Sequence, residues 1–275
     1  MSPIRTGLDR GWIELRQSFA GAGLIGHLFW PVATLAAVFF LRHREVGGFP
    51  LGTLVLPGVL GMFVAFGMQL VIQYLTVDRE DGTLLRAKAT PHGIPGYLVG
   101  KLVTVSGTII AYLIILLVAG ALIADGLALD RPRSWLMLAW VLGLGLVATQ
   151  SIGAILGALV PSPRGASYLS LLVLGLASIS GIFYPIAALP HWLQLIAQAF
   201  PMYWLGLGMR AALLPDTAAA VELGQSWRHL ETAGVLTVWA IAGLVVAPFV
   251  LRRMARRETG SLLAARAEAG RRSAL

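Results

Sequence analysis

Residues 51–91 read LGTLVLPGVLGMFVAFGMQLVIQYLTVDREDGTLLRAKATP, and the fold turns on how they are read. Residues 51–75 contain no Asp, Glu, Lys or Arg. Crossing the hydrocarbon of a bilayer takes roughly 20 apolar residues, so this run predicts a spanning helix. It ends in an island of charge, Asp78, Arg79, Glu80, Asp81, Arg86 and Lys88, interleaved with the helix breakers Gly82, Pro91, Gly93 and Pro95. A second apolar run takes over near Gly100. The pattern predicts two spans joined by a polar segment over 76–101.

Applied outward, the same criterion predicts six transmembrane helices, at 24–41, 51–75, 102–124, 135–159, 167–185 and 234–251. Of the 275 residues, 57% are hydrophobic and 12% charged, whereas a soluble domain carries about a quarter charged residues. Mean hydropathy is +0.78. A soluble core of this length could not enclose so much apolar surface. The expected class is an all-α integral membrane protein with one transmembrane domain over 1–275, leaving no room for a separate soluble enzyme. The absence of cysteine excludes disulfides and thiolate chemistry.

Arg5, Asp9, Arg10, Glu14 and Arg16 keep the N-terminal stretch polar, which does not fit a cleavable signal peptide. Ile4, Leu8, Trp12, Leu15 and Phe19 recur there at helical spacing, with the charges elsewhere on the wheel. This predicts an amphipathic helix within 1–23, lying on the inner leaflet, the alternative being an ordinary helix docked on the spans.

Orientation follows from the basic residues of the loops. With the N-terminus cytoplasmic, that side holds Arg5, Arg10, Arg16, Arg79, Arg86, Lys88, Lys101 and Arg164. It also holds the Arg-rich tail, 252–275. The other side holds Arg42, Arg44, Arg131, Arg133, Arg210 and Arg228. The formal excess of +8 thus falls on one face, which an anionic cytoplasmic leaflet favours. Basicity here points to a membrane surface rather than to nucleic acid, and both termini are expected in the cytoplasm.

The apolar stretch 186–214 is long enough to suggest a seventh span, yet it contains His191, Gln194, Gln198, Arg210 and a central Pro201. An odd number of spans would also place the tail arginines outside. The reading is an external pair of short helices within 186–233, re-entrant or interfacial, with Pro185, Pro190, Trp192 and Pro201 as its markers. Irregular backbone at that depth must be covered by protein or face water.

Motifs of soluble chemistry are absent or fail on context. GAGLIG at 21–26 lacks the preceding strand of a dinucleotide site. GYLVGKL at 96–102 is one residue short of a phosphate loop and has Leu102 where a Mg²⁺-binding hydroxyl belongs. GAILG at 153–157 permits close helix approach. His27, His43, His92, His191 and His229 are scattered without metal-ligand spacing, and no G-x-S-x-G elbow occurs. Asp125 and Asp130 read as solvated charges beside an external loop. The spans hold no charge in their central turns, and His27 is the one titratable group near them, so no proton relay is built in. The polar groups within the spans, including Gln69, Gln73, Tyr74, Thr104, Thr108, Tyr112, Thr149, Gln150, Ser178, Ser180 and Tyr184, suit interhelical hydrogen bonds or an amphiphile pathway. Uphill movement would need a partner's energy. On charge alone the island suits a rigid docking helix or a solvated loop equally, acids leading and bases following as the macrodipole prefers.

Its wording decides. DREDGTLLRAKATP at 78–91 resembles the segment between the second and third spans of type-2 ABC exporter permeases, through Glu80, Gly82, Thr83, Leu84, Ala89, Thr90 and Pro91. SGIFYPIAALPHWLQLIAQAFPMYW at 180–204 resembles that family's series after the fifth span. Asp81 and Lys88 depart from the commoner residues of the pattern. The resemblance implies that Asp78, Arg79, Glu80, Asp81, Gly82, Thr83, Leu84, Arg86, Thr90 and Pro91 form a coupling helix seated on separate cytoplasmic ABC ATPase subunits. The N-terminal helix would share that interface. ATP and Mg²⁺ would be bound by the partner and no cofactor by this chain, which would be a transporter subunit in the inner or plasma membrane and not an enzyme. It also implies a second permease copy and, from the LLRAKATP style, similarity to the drug and antibiotic exporters related to daunorubicin resistance. Phe63, Phe66, Gln69, Gln73 and Tyr74 are the expected cargo pathway. The rival readings are a polysaccharide or glycolipid exporter of the same build, an ion-coupled carrier using His27, and a membrane enzyme, for which no nucleophile or paired carboxylates are found.

Overall fold

A computed structural model describes residues 3–46, 49–90, 93–124, 126–160 and 163–272. The described chain is an all-α integral membrane protein. Five of its helices are long and apolar enough to cross a bilayer: α2 (Ala22–Leu41), α3 (Leu51–Glu80), α5 (Gly93–Ile123), α6 (Pro132–Leu159) and α10 (His229–Arg272). Ahead of them runs α1 (Pro3–Ser18), and α4 (Thr83–Lys88) forms the corner between α3 and α5. The segment expected as the fifth span gives α7 (Pro163–Ile179), shorter than the prediction because the chain leaves helical geometry at Ser180. Two further helices, α8 (His191–Ala199) and α9 (Pro201–Leu213), precede α10. A two-residue antiparallel pairing, Glu45–Val46 with Phe49–Pro50, joins α2 to α3.

The expected polar joint at 76–101 is largely helical. With 30 and 31 residues, α3 and α5 run about 45 Å each at 1.5 Å per residue, well beyond the ~30 Å hydrocarbon. Their charged ends therefore project past the lipid or the helices tilt. Met254 of α10 lies at this same charged pole, against Arg79.

The predicted break at Pro201 is present. Phe200 is extended (φ −104°, ψ 152°), and Pro201 opens α9, where a missing N–H costs nothing. The orphan carbonyls ending α8 are taken by indoles: Trp204 Nε1 donates to Gln198 O at 2.7 Å, and Trp239 Nε1 to Ala199 O at 3.0 Å. Trp239 stands ten residues into α10, so the break lies about 15 Å in from that helix's start. The end of α9 returns to the pole opposite the charged one, where Ala128 N donates to Leu213 O at 2.8 Å. The pair thus dips into the bundle and comes back. α9 is buried among α3, α6 and α10, with only Ala211 partly open. Arg210 holds the irregular chain after α7, donating to Gly181 O at 3.2 Å and Ile182 O at 3.0 Å while pairing with buried Glu222 at 2.6 Å. Of the expected markers, Pro190 is the N-cap of α8, Pro201 is the first residue of α9, Pro185 precedes a short 3-10 turn, and Trp192 is exposed.

α1 combines features of both arrangements that its sequence allows. Ile4, Leu8 and Trp12 are exposed, as an interfacial stripe requires, but a second face clamps the helix along α5. That face is small. A Cβ on Gly7 would lie 2.6 Å from Gly96 O, and one on Gly11 2.5 Å from Gly100 O. Two small-xxx-small pairs therefore meet, letting the backbones touch. We expect Gly11→Leu to detach α1 and cost about 1–3 kcal/mol, read as a lower detergent melting temperature and new proteolysis near residue 20. Gly26→Ala, in open space, should leave both unchanged.

Candidate functional site

The charged corner is built by alternating directions of side chains. Asp81 ends α3 in helical geometry, and Gly82 then takes φ +73°, a left-handed conformation that costs glycine no Cβ clash. Asp81 Oδ1 accepts from Thr83 N at 2.8 Å, so the acid at the end of α3 holds the first amide of the next helix across Gly82. Hydrogen bonds from Thr83 hold this carboxyl below its ordinary range. Arg86 donates to Thr83 Oγ1 at 2.9 Å. Leu84 and Ala87 turn into the core, while Glu80, Asp81, Arg86, Lys88 and Thr90 are exposed. Pro91, expected to close the segment, lies outside the described residues, as does Asp125.

Asp78 and Arg79, both expected on the docking face, point into the bundle instead. Asp78 is 7% exposed. Its carboxylate meets Lys101 Nζ at 2.9 Å and accepts from the Tyr97 hydroxyl at 2.6 Å. Lys101, only 4% exposed, also pairs with Glu14 of α1 and lies 4.6 Å from the Tyr74 ring centre. Thr104 donates to Gly11 O at 3.1 Å. One ammonium thereby joins α1, α3 and α5. Arg79 turns the other way and donates to Gly157 O at 3.1 Å, with Val160 O and Met254 Sδ also in reach. A guanidinium on the last carbonyls of α6 satisfies groups that a helix terminus leaves open. The reason both side chains turn inward is helical geometry: adjacent residues lie about 100° apart on a helix, so each can serve a different neighbour. Between α1 and the corner lies a polar cleft of about 550 Å³ lined by Asp9, Arg10, Glu14, Asp78 and Asp81 among others.

Four of the five expected cargo residues come together. Phe63, Phe66, Gln69 and Gln73 line a cavity of about 250 Å³ with Trp30, Leu70, Ile109 and Tyr112. Phe63 packs edge-on against Phe66 and Tyr112. Gln69 donates to Ser170 of α7, and among the described residues its buried Oε1 has no partner. Tyr74 lies outside this cavity, beside Lys101. His27 is bound rather than free, its Nδ1 2.5 Å from the Tyr112 hydroxyl and its ring stacked on Phe19. Thr149 and Gln150 link α6 to its neighbours, donating to Val64 O of α3 at 3.2 Å and Ser106 Oγ of α5 at 2.8 Å, whereas Thr108 bonds back to Thr104 O within α5. Sequence reading missed Glu14, Tyr97 and Lys101 as one unit, since the contacts span up to 87 residues. The spacing Gly7-x-x-x-Gly11 and Gly96-x-x-x-Gly100 was the available signal for their approach.

The lowered Asp81 carboxyl sets a sign. A depressed folded pKa contributes stability above the ordinary value of 3.8 that is lost as pH falls through the folded value. Hydrogen exchange should show the Thr83 amide protected at pH 5 and losing that protection as the pH falls below the ordinary carboxylate value. Asp81→Asn, whose side-chain oxygen also accepts, should keep that protection, and Asp81→Ala should lose it at every pH. Separately, Lys101→Met should cost about 3–5 kcal/mol by stranding Asp78, and adding Asp78→Asn should restore most of it in thermal melts.

The family model described as ABC-2 type transporter matches residues 7–214, a stretch that includes most of α1, the corner, the cavity and the α8–α9 pair. No curated protein matches the chain. A multi-pass helical bundle with this match is a transporter's membrane domain, and the chain belongs to the ABC-2 type transporter family.

Proposed function

We propose that this chain is the permease subunit of an ATP-driven exporter, moving an amphiphilic drug-like or lipid-like cargo outward by alternating access. The observation that carries this reading is the corner: four charged side chains, Glu80, Asp81, Arg86 and Lys88, exposed on a turn whose other face is anchored by Leu84 and Ala87. A partner seated there would push on a fixed body rather than a loose loop. The partner is a cytoplasmic ATPase subunit that carries ATP and Mg²⁺, and a second copy of this chain completes the transporter. Nucleotide closure of the ATPases would draw the two corners together and turn the spans outward.

Arg252, Arg253 and Arg256 are helical residues of α10 at the same pole as the corner. Their charge supports a cytoplasmic position for that pole, by the positive-inside rule. The cavity supports the cargo class. Aromatic walls with two amides and no fixed charge suit an apolar body carrying a few hydrogen-bonding groups, and about 250 Å³ favours a compact amphiphile over a polysaccharide.

A pull-down from native membranes tests the reading, wild type beside Glu80→Arg. An ATP-binding subunit should co-purify with wild type and be lost with the variant; no ATPase with either would sink the exporter and return attention to an ion-coupled carrier. With the complex in hand, Phe66→Ala should raise the cargo concentration for half-maximal ATPase stimulation up to about tenfold, by loss of ~1.4 kcal/mol of aromatic contact. Unchanged stimulation would remove the cavity from the pathway.

A further inference from the structure

The corner has to be attached to the spans if motion at α4 is to reach them, and two adjacent residues supply the attachment. Asp78 reaches α5 through Lys101 and Tyr97, and Lys101 carries the link on to Glu14 of α1. Arg79 reaches the last carbonyls of α6 and Met254 of α10. We propose that Asp78 and Arg79 are positioning residues that clamp α4 to opposite halves of the bundle. Asp78 holds α1 and α5, Arg79 holds α6 and α10, and neither contacts the ATPase. The proposal rests on the exporter reading for its purpose, though the clamp itself is a property of this chain.

The two arms differ in kind. The Asp78 arm is an ion pair enclosed by protein, the Asp78 side chain 10% exposed and Lys101 4%. Such a pair holds its geometry because separating the charges strands each of them away from water. Its outer end is softer, since the Glu14 side chain is 31% exposed and water can replace the ammonium there. The Arg79 arm is a set of hydrogen bonds to main-chain oxygens, which are fixed by the α6 helix itself. α1 is thus the helix held most weakly to the corner, and α6 the one held by its own backbone. Removing one arm should free one half of the bundle and leave the other following α4.

The chain has no cysteine, so spin labels can be placed pairwise without background. Labels at Ala89 and Ile13 report α4 against α1; labels at Ala89 and Leu159 report α4 against α6. All three sites are exposed. Double electron–electron resonance is measured on the full chain in detergent, alone and with its co-purified ATPase, without nucleotide and with ATP trapped by vanadate. In wild type both distances should be narrow and unchanged by nucleotide, because a clamp moves as one body. In Asp78→Asn/Lys101→Met, which removes both buried charges and leaves neither stranded, the Ala89–Ile13 distribution should broaden by about 5 Å, one helical pitch. The Ala89–Leu159 distribution should stay narrow. Arg79→Gln should do the reverse, and Lys101→Arg should resemble wild type. If the double variant fails to fold, Glu14→Gln cuts the same arm at its hydrated end and should broaden only the first distance. Both distances staying narrow in every variant, or either variant loosening both, overturns the clamp. Failure of an ATPase to co-purify with wild type counts against the exporter reading alone, because the widths without nucleotide still decide the clamp.

Discussion

An ammonium withdrawn from water costs several kcal/mol unless carboxylates and dipoles replace the water it gave up. Lys101 meets that demand with Asp78, Glu14 and the Tyr74 face, and much of the charged pole is arranged to let it. Glu14 can reach Lys101 only if α1 runs against α5, which the facing glycines permit. Asp78 can reach it only if α3 stays helical past the end of its apolar run. Tyr97, one turn ahead of Lys101 on α5, donates to the same Asp78 oxygen that Lys101 meets. The placement of α4 follows, because the chain must turn immediately after α3 ends, and Gly82 makes that turn.

Much of this architecture was legible in the sequence because lipid imposes a simple criterion, length and apolarity, on every span. Where the criterion met ambiguity, physics outside the window decided. The prediction that 167–185 is one helix could not foresee that Arg210, far along the chain, would take the carbonyls of Gly181 and Ile182 and stabilise non-helical backbone there. Pro201 and the scattered glutamines did announce the α8–α9 break correctly. The island at 78–91 announced its charges but not their directions. Glu80 and Asp81 face out, while Asp78 and Arg79 face in, and only the neighbours α1, α5, α6 and α10 determine which is which. The cavity was read from one face of α3, which explains why Phe63 through Gln73 assembled while Tyr74, on the next face round, went to Lys101.

Two short helices show the bilayer's influence from the outside. On α8 the exposed residues include Trp192, Leu195 and Ile196 beside His191 at its start, while Gln194 and Gln198 turn inward to Leu189 O and Arg228. α1 likewise exposes Ile4, Leu8 and Trp12 and keeps Glu14 toward Lys101. In a soluble protein this is the inverted arrangement, since apolar stripes there face the core. In lipid or at its interface the outward apolar face is the satisfied one.

The burial of α9 has a consequence for how the chain is made. It is enclosed by α3 and α6, which are synthesised before it, and by α10, which is synthesised after it. Until α10 arrives, Trp239 is not there to take the carbonyl of Ala199, and one side of the re-entrant pair lacks its cover. Because α10 follows in the chain all the helices it covers, it is the one that closes this core. A nascent chain interrupted before residue 229 would present a half-covered hairpin with an open carbonyl to the membrane, a distinct species for the cell's insertion and proteolysis machinery to act on.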